Sequence, residues 1–273
     1  MSIPARVGTL QAWEQDLLQE VHFIKPEDTV REILQNTQCY AASDGSAPKD
    51  RGSFGWIIST HKGDHLVRCR GPAYGYAISS YRAEAYGMLS ILRFLFRMGE
   101  TLNPGTQLRA LHLVCDNKGL VQSTSKLMHY TRIFPNTTME PEWDIIAQIL
   151  DTIKSLGSAA PTIEHIKGHQ DVDTPYEQLS LTAQLNCDAD AHASAYLRDN
   201  PTMEHSISHA FPAGECVLQL RAGTITRDLK YACAEARTLL PLRIKITQDS
   251  GWWSHSVFDA VDWSSHGRAL QKH

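Results

Sequence analysis

The sequence has no long run of apolar residues. None of its apolar stretches approaches the roughly 20 residues that a helix needs to cross a lipid bilayer. Near the start of the chain, Glu14 and Asp16 lie where a secretory signal would have its apolar core. We therefore expect an intracellular protein, in the cytoplasm or the nucleus, without a membrane-spanning segment.

Cysteine pairs of the C-x-x-C kind are also missing. Four of the six cysteines lie within apolar runs, which predicts buried, reduced thiols and not a disulfide framework. The six are Cys39, Cys69, Cys115, Cys187, Cys216 and Cys233. No internal repeat or low-complexity tract is present, and 273 residues with 42% hydrophobic content suffice for one sizeable globular domain with an appendage.

A surplus of positive charge, which a nucleic-acid binder needs for its phosphate contacts, is absent as well. The formal net charge is -4 at pH 7. Part of this deficit is explained if several carboxylates serve to hold metal ions. We expect any binding of nucleic acid by this chain to be weak.

The sequence does contain a set of acidic residues in distinctive positions. Asp44 ends one apolar run and is followed by a glycine, and Asp116 ends another. Glu84 and Asp188 lie on predicted helices. Aspartates at the ends of neighbouring strands point to one spot at the edge of a sheet, and flanking helices can reach the same spot. Hard oxygen ligands suit Mg²⁺, so the pattern predicts a carboxylate cage for divalent metal.

Each of these residues also has a simpler interpretation. Asp44 before a glycine is typical of a turn, and Glu84 taken alone is typical of an exposed helix carboxylate. Asp116 and Asn117 could cap the helix that follows, because Asp and Asn are favoured at that position. The metal-site hypothesis depends on all of the carboxylates being present together.

Five short motifs, read in chain order, resemble the ribonuclease H type 1 family. They are Cys39-Tyr40-Ala41-Ala42-Ser43-Asp44-Gly45-Ser46, Tyr81-Arg82-Ala83-Glu84-Ala85, Leu113-Val114-Cys115-Asp116-Asn117, Ile166-Lys167-Gly168-His169 and Asn186-Cys187-Asp188-Ala189-Asp190. The resemblance extends over roughly Gln38 to Arg198, about half to two thirds of the chain.

The resemblance implies a metal-dependent endonuclease that hydrolyses the RNA strand of RNA–DNA hybrids by a two-metal mechanism. Two Mg²⁺ ions, for which Mn²⁺ can substitute, would be held by Asp44, Glu84, Asp116 and Asp188, and His169 would help with proton transfer or product release. Asp190 competes with Asp188, but two residues apart on a helix they point to different sides. The match at Cys187-Asp188 favours Asp188.

An RNA–DNA hybrid is recognised by the 2′-hydroxyls of its RNA strand, which backbone amides and small polar side chains can contact. The residues expected at the hybrid are Gly45, Ser46, Ser80, Arg82 and Asn117. Many family members carry asparagines before the glutamate, where this chain has Ser79-Ser80-Tyr81. The stretch from His129 to Glu140 also lacks the basic run of bacterial members.

The segment Arg82-Ala83-Glu84 is similar to the retroelement branch of the family. This similarity implies that the chain derives from, or is part of, a reverse transcriptase polyprotein. Two other hypotheses stay open. One is a catalytically inactive ribonuclease H-fold module that binds nucleic acid or protein, and the other is a nuclease of the same fold that acts on DNA.

Apolar periodicity and turn signals predict the element order β-β-β-α-β-α-α-β-α. This order predicts the α/β class, with a mixed five-stranded sheet flanked by helices in a ribonuclease H-like fold. The expected domains are a helical N-terminal extension over residues 1–37, a catalytic domain over 38–199 and a small C-terminal α+β extension over 200–273. Within the two extensions we expect a helix at Thr9–Val21, a break at Lys25-Pro26, a strand at Glu215–Leu220 and a helix at Thr226–Leu239.

Overall fold

The computed structural model describes residues 7–49, 51–75, 78–129, 140–202, 209–214, 218–220, 223–229, 237, 241–248, 254 and 256. The chain divides into two compact units, Met1–Arg227 and Asp228–His273. In the second unit, residues 241–248 are helical. Most of the helix expected at Thr226–Leu239 lies outside the described residues, as does the stretch 130–139.

A mixed sheet of six strands forms the centre of the first unit. Its strands are β1 (His22–Phe23), β2 (Cys39–Ser46), β3 (Gly52–Thr60), β4 (His65–Ala73), β5 (His112–Cys115) and β6 (Thr162–His165), in the spatial order β1-β4-β3-β2-β5-β6. The first four in that order pair antiparallel, and β2, β5 and β6 pair parallel. The predicted α/β class with a mixed sheet is confirmed, and the short edge strand β1 is added to the five strands expected.

Among the described residues of the first unit, six α-helices accompany the sheet. They are α1 (Ala12–Leu18), α2 (Glu27–Asn36), α3 (Ser80–Glu100), α4 (Lys118–Met128), α5 (Trp143–Leu156) and α6 (Leu181–Asp199). The four helices of the predicted element order all form, between residues 80 and 199. A hairpin of β7 (Leu218–Leu220) and β8 (Gly223–Ile225) follows them, and β7 falls within the strand expected at Glu215–Leu220.

The central strands are buried on both faces. In β2, Ala41 belongs to the larger apolar core with α3, whereas its neighbour Ala42 belongs to a second cluster with α6. Leu113 and Val114 of β5 divide in the same way. Successive side chains of a strand point to opposite faces, so α3 and α6 cover opposite sides of the sheet.

The N-terminal residues pack into the larger core. Trp13 and Leu17 of α1 and Val30 and Leu34 of α2 are buried there. The helix α2 was not predicted, because Pro26 was interpreted as a break. A proline is tolerated at a helix start, where its missing N–H needs no partner, and acidic residues follow it in the first turn of α2. The boundaries expected at residues 37 and 199 stay predictions about domain organisation.

Candidate metal centre

Two aspartates lie at the ends of neighbouring parallel strands. Ser43 of β2 is paired with Cys115 of β5, so Asp44 and Asp116 follow directly from paired positions. The Asp44 side chain is buried, and its Oδ1 accepts a hydrogen bond of 2.6 Å from the backbone N–H of Gly45. The strand register therefore brings two of the predicted ligands to one edge of the sheet.

Glu84 comes to the same point from α3. A Cβ atom on Gly45 would lie 2.3 Å from the backbone nitrogen of Glu84, so β2 and α3 touch through their backbones. Only glycine permits this approach, which places the buried Glu84 carboxyl in hydrogen-bond contact with Asp44. Gly45 is thus required for packing, and its backbone N–H donates a hydrogen bond to Asp44.

Cys115 completes this side of the cluster. Its Sγ donates to Glu84 Oε2 at 3.6 Å, and ligand atoms of Glu84, Cys115 and Asp116 all lie within 4.8 Å of one another. Burial raises the pKa of the Cys115 thiol to about 12, so the thiol stays protonated and acts as a donor to Glu84. Sequence reasoning missed this role, although Cys115 directly precedes a predicted ligand.

The carboxyl groups disfavour one another's ionisation. Burial, followed by the charges of Asp116 and Asp190, raises the pKa of Asp44 to about 7, while hydrogen bonds with Glu84 and Gly45 oppose the rise. Burial also raises the pKa of Glu84 well above its ordinary value, and the neighbouring acidic groups add to the shift. A bound cation would favour the ionised forms of these carboxyl groups, and carboxylate oxygens are the donors that Mg²⁺ prefers.

The helix α6 carries both Asp188, the expected ligand, and Asp190, and the structure gives the two side chains different surroundings. Asp190 acts electrostatically on Asp44. Asp188 accepts a hydrogen bond of 3.0 Å from the Tyr176 hydroxyl and lies 3.4 Å from His65 Nε2. The two aspartates point to different sides of the helix, as expected, and the packing of α6 turns Asp190 toward the site.

Close packing of α6 on β3 explains this orientation. A Cβ atom on Gly55, which is paired with Asp44, would lie 2.4 Å from the carbonyl oxygen of Ala189. The Ser53 hydroxyl donates to the Ala193 carbonyl oxygen at 2.7 Å. With Ala189 and Ala193 buried against the sheet, Asp190 lies at the border of the buried face on the side of Asp44.

His169 lies in the loop after β6, and its side chain is exposed. Next to it, a Cβ atom on Gly168 would lie 2.2 Å from Asp116 Oδ2. The loop backbone therefore touches the Asp116 carboxylate, and His169 follows at the rim of the cluster. His169 has a positive φ of 50°, a left-handed conformation that redirects the chain at this point.

The residues expected at the hybrid have different environments. Ser46 is half-buried at the end of β2, and Ser80 is exposed at the first position of α3. The Asn117 side chain accepts a hydrogen bond of 3.0 Å from the Leu120 N–H and caps α4, which is the simpler interpretation of this position. These residues border the carboxylate cluster from β2, α3 and α4.

The expectation for Arg82 needs correction. Its side chain is completely buried and donates to Glu142, to Asp144 and to the Tyr74 carbonyl oxygen. An arginine in this position cannot reach a substrate at the surface. Arg82 instead connects the first turn of α3 to the start of α5.

Four of the six cysteines lie among the described residues. Cys39, Cys69 and Cys115 are free and buried, and Cys187 is free and half-buried; Cys216 and Cys233 lie outside the described residues. Within the part of the chain that the structure describes, no helix is both long enough and apolar enough to cross a bilayer.

No family model matches the chain, and the search of curated proteins finds no match. Among solved structures, the chain is similar to LC11 ribonuclease H1, isolated from compost, in complex with RNA/DNA hybrid. The identity is 16%, the TM-score is 0.42, and 60% of this chain and 100% of that one are covered. The ribonuclease H domain of prototype foamy virus is 19% identical, with a TM-score of 0.44 and coverage of 58% and 93%. Ribonuclease H1 of Halobacterium salinarum is 14% identical, with a TM-score of 0.39 and coverage of 59% and 98%. These three are structures of two ribonucleases H1 and of one ribonuclease H domain.

Proposed function

We propose that this chain is a metal-dependent endonuclease that hydrolyses the RNA strand of RNA–DNA hybrids. The observation that carries the proposal is a set of carboxylates at one edge of the sheet. Ligand atoms of Glu84 and Asp116 lie within 4.8 Å of each other, Asp44 is in hydrogen-bond contact with Glu84, and Asp190 of α6 acts electrostatically on Asp44. The burial of Asp44 and Glu84 is unfavourable for stability unless the cluster serves a cation, because burial and mutual repulsion both disfavour the charged forms.

These four carboxylates are the groups that would hold Mg²⁺, with Mn²⁺ as a substitute. When two such ions are bound, they activate water as a nucleophile and compensate the charge on the leaving oxygen of a phosphodiester. The protein's own part is to fix its ligands in advance. The Cys115 thiol orients Glu84 by a hydrogen bond, and the Gly45 amide orients Asp44.

The surrounding residues suit the handling of a nucleic acid strand. Ser80 is exposed at the start of α3 and offers a hydroxyl for a 2′-hydroxyl or a phosphate, and Ser46 offers another at the end of β2. His169, exposed beside Asp116, can take up or release a proton near the cluster. A descent from a retroelement remains part of the proposal and rests on Arg82-Ala83-Glu84 alone.

The second candidate is a catalytically inactive module that keeps the fold and binds nucleic acid or protein. The net charge of -4 favours it, because it weakens contact with phosphates. The retained carboxylate cluster favours the enzyme, because a module that only binds has no need of buried acidic groups.

A cleavage assay separates the two candidates. The purified full-length chain is incubated with labelled RNA–DNA hybrid, double-stranded RNA and double-stranded DNA in Mg²⁺ or Mn²⁺. We expect hybrid-only cleavage that is lost in Asp116→Asn, and a metal-induced rise in melting temperature that is also lost in this variant. Metal binding without cleavage would favour the inactive module, and cleavage of double-stranded DNA would contradict the proposed substrate.

A further inference from the structure

Arg82 lies two residues before Glu84 in the first turn of α3 and is fixed by several charged groups. Its Nη1 and Nη2 donate to the two carboxylate oxygens of Asp144, each at 2.9 Å. Nη1 also donates to Glu142 Oε2 at 2.9 Å, and Nε donates to the Tyr74 carbonyl oxygen. A planar guanidinium held by a forked pair has a defined direction, so these contacts fix the first turn of α3 in orientation.

Glu142 contacts this turn at two points. Besides the bond to Arg82, its Oε1 accepts a hydrogen bond of 3.3 Å from the Ser79 hydroxyl. The same hydroxyl caps α3 by accepting from the Arg82 backbone N–H at 3.1 Å. Glu142 is 2% exposed and has a φ of 60°, which is unfavourable for a residue with a side chain. Its surroundings must therefore hold it in place.

The backbone of Glu142 is held by the C-terminal segment, of which the structure describes residues 209–214, 218–220 and 223–226. The N–H of Glu142 donates to the Thr226 carbonyl oxygen at 2.6 Å, directly after β8. The segment is anchored by Phe211, which is 3% exposed and whose ring centroid lies 5.8 Å from that of Trp13 and 5.7 Å from that of Tyr86. A continuous series of contacts thus leads from Thr226 through Glu142 to the helix turn that carries Glu84.

We propose that Glu142 and Arg82 are positioning residues for Glu84, and that Thr226 of the C-terminal segment completes the arrangement by holding the Glu142 backbone. The inference rests on the proposed function, in which Glu84 is a metal ligand. Apolar packing of α3 on the sheet is not directional, whereas the hydrogen bonds between charged side chains at its first turn are directional. They set the rotation of the helix end, and therefore the position of the Glu84 carboxyl relative to Asp44.

The same helix provides a matched control. Further along α3, Arg93 and Arg97 both donate to Glu14, which is 1% exposed and belongs to α1. Glu14→Gln therefore removes a buried carboxylate that pairs with arginines of α3, as Glu142→Gln does, but away from Glu84. A purely structural role predicts the same consequences for both variants.

The test compares full-length wild type, Glu142→Gln and Glu14→Gln by melting temperature, by calorimetric titration with Mn²⁺, and by kcat and KM on the hybrid. We expect both variants to melt lower. Only Glu142→Gln should weaken Mn²⁺ binding and lower kcat, each by about tenfold, with KM unchanged. If Glu142→Gln does not fold, Asp144→Asn replaces it, because that variant removes one carboxylate from Arg82 and leaves Glu142 in place.

Wild-type Mn²⁺ affinity and kcat in the folded Glu142→Gln or Asp144→Asn protein would overturn the inference, as would equal losses in Glu14→Gln. A wild-type chain that binds Mn²⁺ but cleaves no hybrid would remove the proposed function, while the comparison of Mn²⁺ affinities would still decide the positioning role. Absence of Mn²⁺ binding by the wild type would overturn both.

Discussion

At the scale of single residues, the candidate metal centre contains acidic groups that disfavour one another's ionised forms. Asp44 and Glu84 are both 4% exposed, and the pKa of each is raised by burial and by neighbouring charge. Asp44, Glu84 and Asp116 were predicted as ligands, and the structure brings their carboxyl groups together. For the fourth position the sequence favoured Asp188, whereas Asp190 is the residue of α6 that acts electrostatically on Asp44, because the side of α6 that faces Asp44 depends on how that helix packs.

Replacing each of the two aspartates of α6 with asparagine, in separate variants, tests this difference. We expect Asp190→Asn to lower kcat for hybrid cleavage on the order of 10²-fold or more, because it removes a preorganised charge beside the reacting groups. Asp188→Asn should stay within a few-fold of wild type, because that carboxylate bonds to the Tyr176 hydroxyl. Initial rates at saturating Mg²⁺ check both variants, and a larger loss in Asp188→Asn would restore the original assignment.

At the scale of elements, two backbone contacts position the site. The strand β2 meets α3 at Gly45, and β3 meets α6 at Gly55, each without room for a Cβ atom. The sequence placed Gly45 in a turn beside the substrate, whereas it lies within a strand and against a helix. Gly45 is required for packing, and its contact with a hybrid stays a prediction.

Gly45→Ala should therefore destabilise the fold. A Cβ atom 2.3 Å from the Glu84 nitrogen forces α3 away from β2, and overpacking of this kind costs about 1–3 kcal/mol or more. Gly99→Ala is the matched control, because Gly99 lies in α3 and a Cβ atom added there would meet nothing within 4 Å. This second variant should stabilise the helix by roughly 0.5–1 kcal/mol. Urea unfolding with Mg²⁺ absent measures both changes, and equal stability of the two variants would contradict the close contact.

At the scale of the whole molecule, segments outside the five motifs contribute to the same core. Trp13 of α1 contacts Phe211 of the C-terminal segment, and the Ala213 N–H donates to Gln148 Oε1 at 3.0 Å. His209 Nδ1 lies 2.7 Å from Asp16 Oδ2. The motifs end near Asp190, but the packing of the first compact unit continues to the hairpin of β7 and β8.

Two truncated chains test how far this unit extends. A chain that ends at Arg227 keeps the contacts of Phe211 and Thr226, whereas a chain that ends at Asp199 loses them. We expect the shorter chain to melt lower by about 10 °C, because deleting a buried aromatic side chain alone costs about 3–5 kcal/mol. Thermal unfolding followed by circular dichroism measures the difference, and equal melting temperatures would show that the segment does not contribute to stability.

Local sequence patterns were enough to predict the class of the fold and to propose most of the residues of the acidic site. Apolar periodicity specifies local elements, because residues at steps of two or of three and four share one face, and it predicted the helices and strands between residues 39 and 199. Asp44 and Asp116 could be assigned because strand ends in a parallel pair must lie side by side, and β2 and β5 are such a pair.

Two features of the site could be read only from the folded chain, namely the orientation of α6 and the partners of Arg82. Whether Asp188 or Asp190 faces the cluster follows from the rotation of α6 on β3, which no local pattern encodes. Arg82, two residues before Glu84, was expected at the substrate. Its partners lie some sixty residues later in the chain: Glu142 at the N-terminal edge of α5, and Asp144 within α5. Such contacts form only when the chain has folded, since burial and ion pairing depend on which distant groups the core brings together.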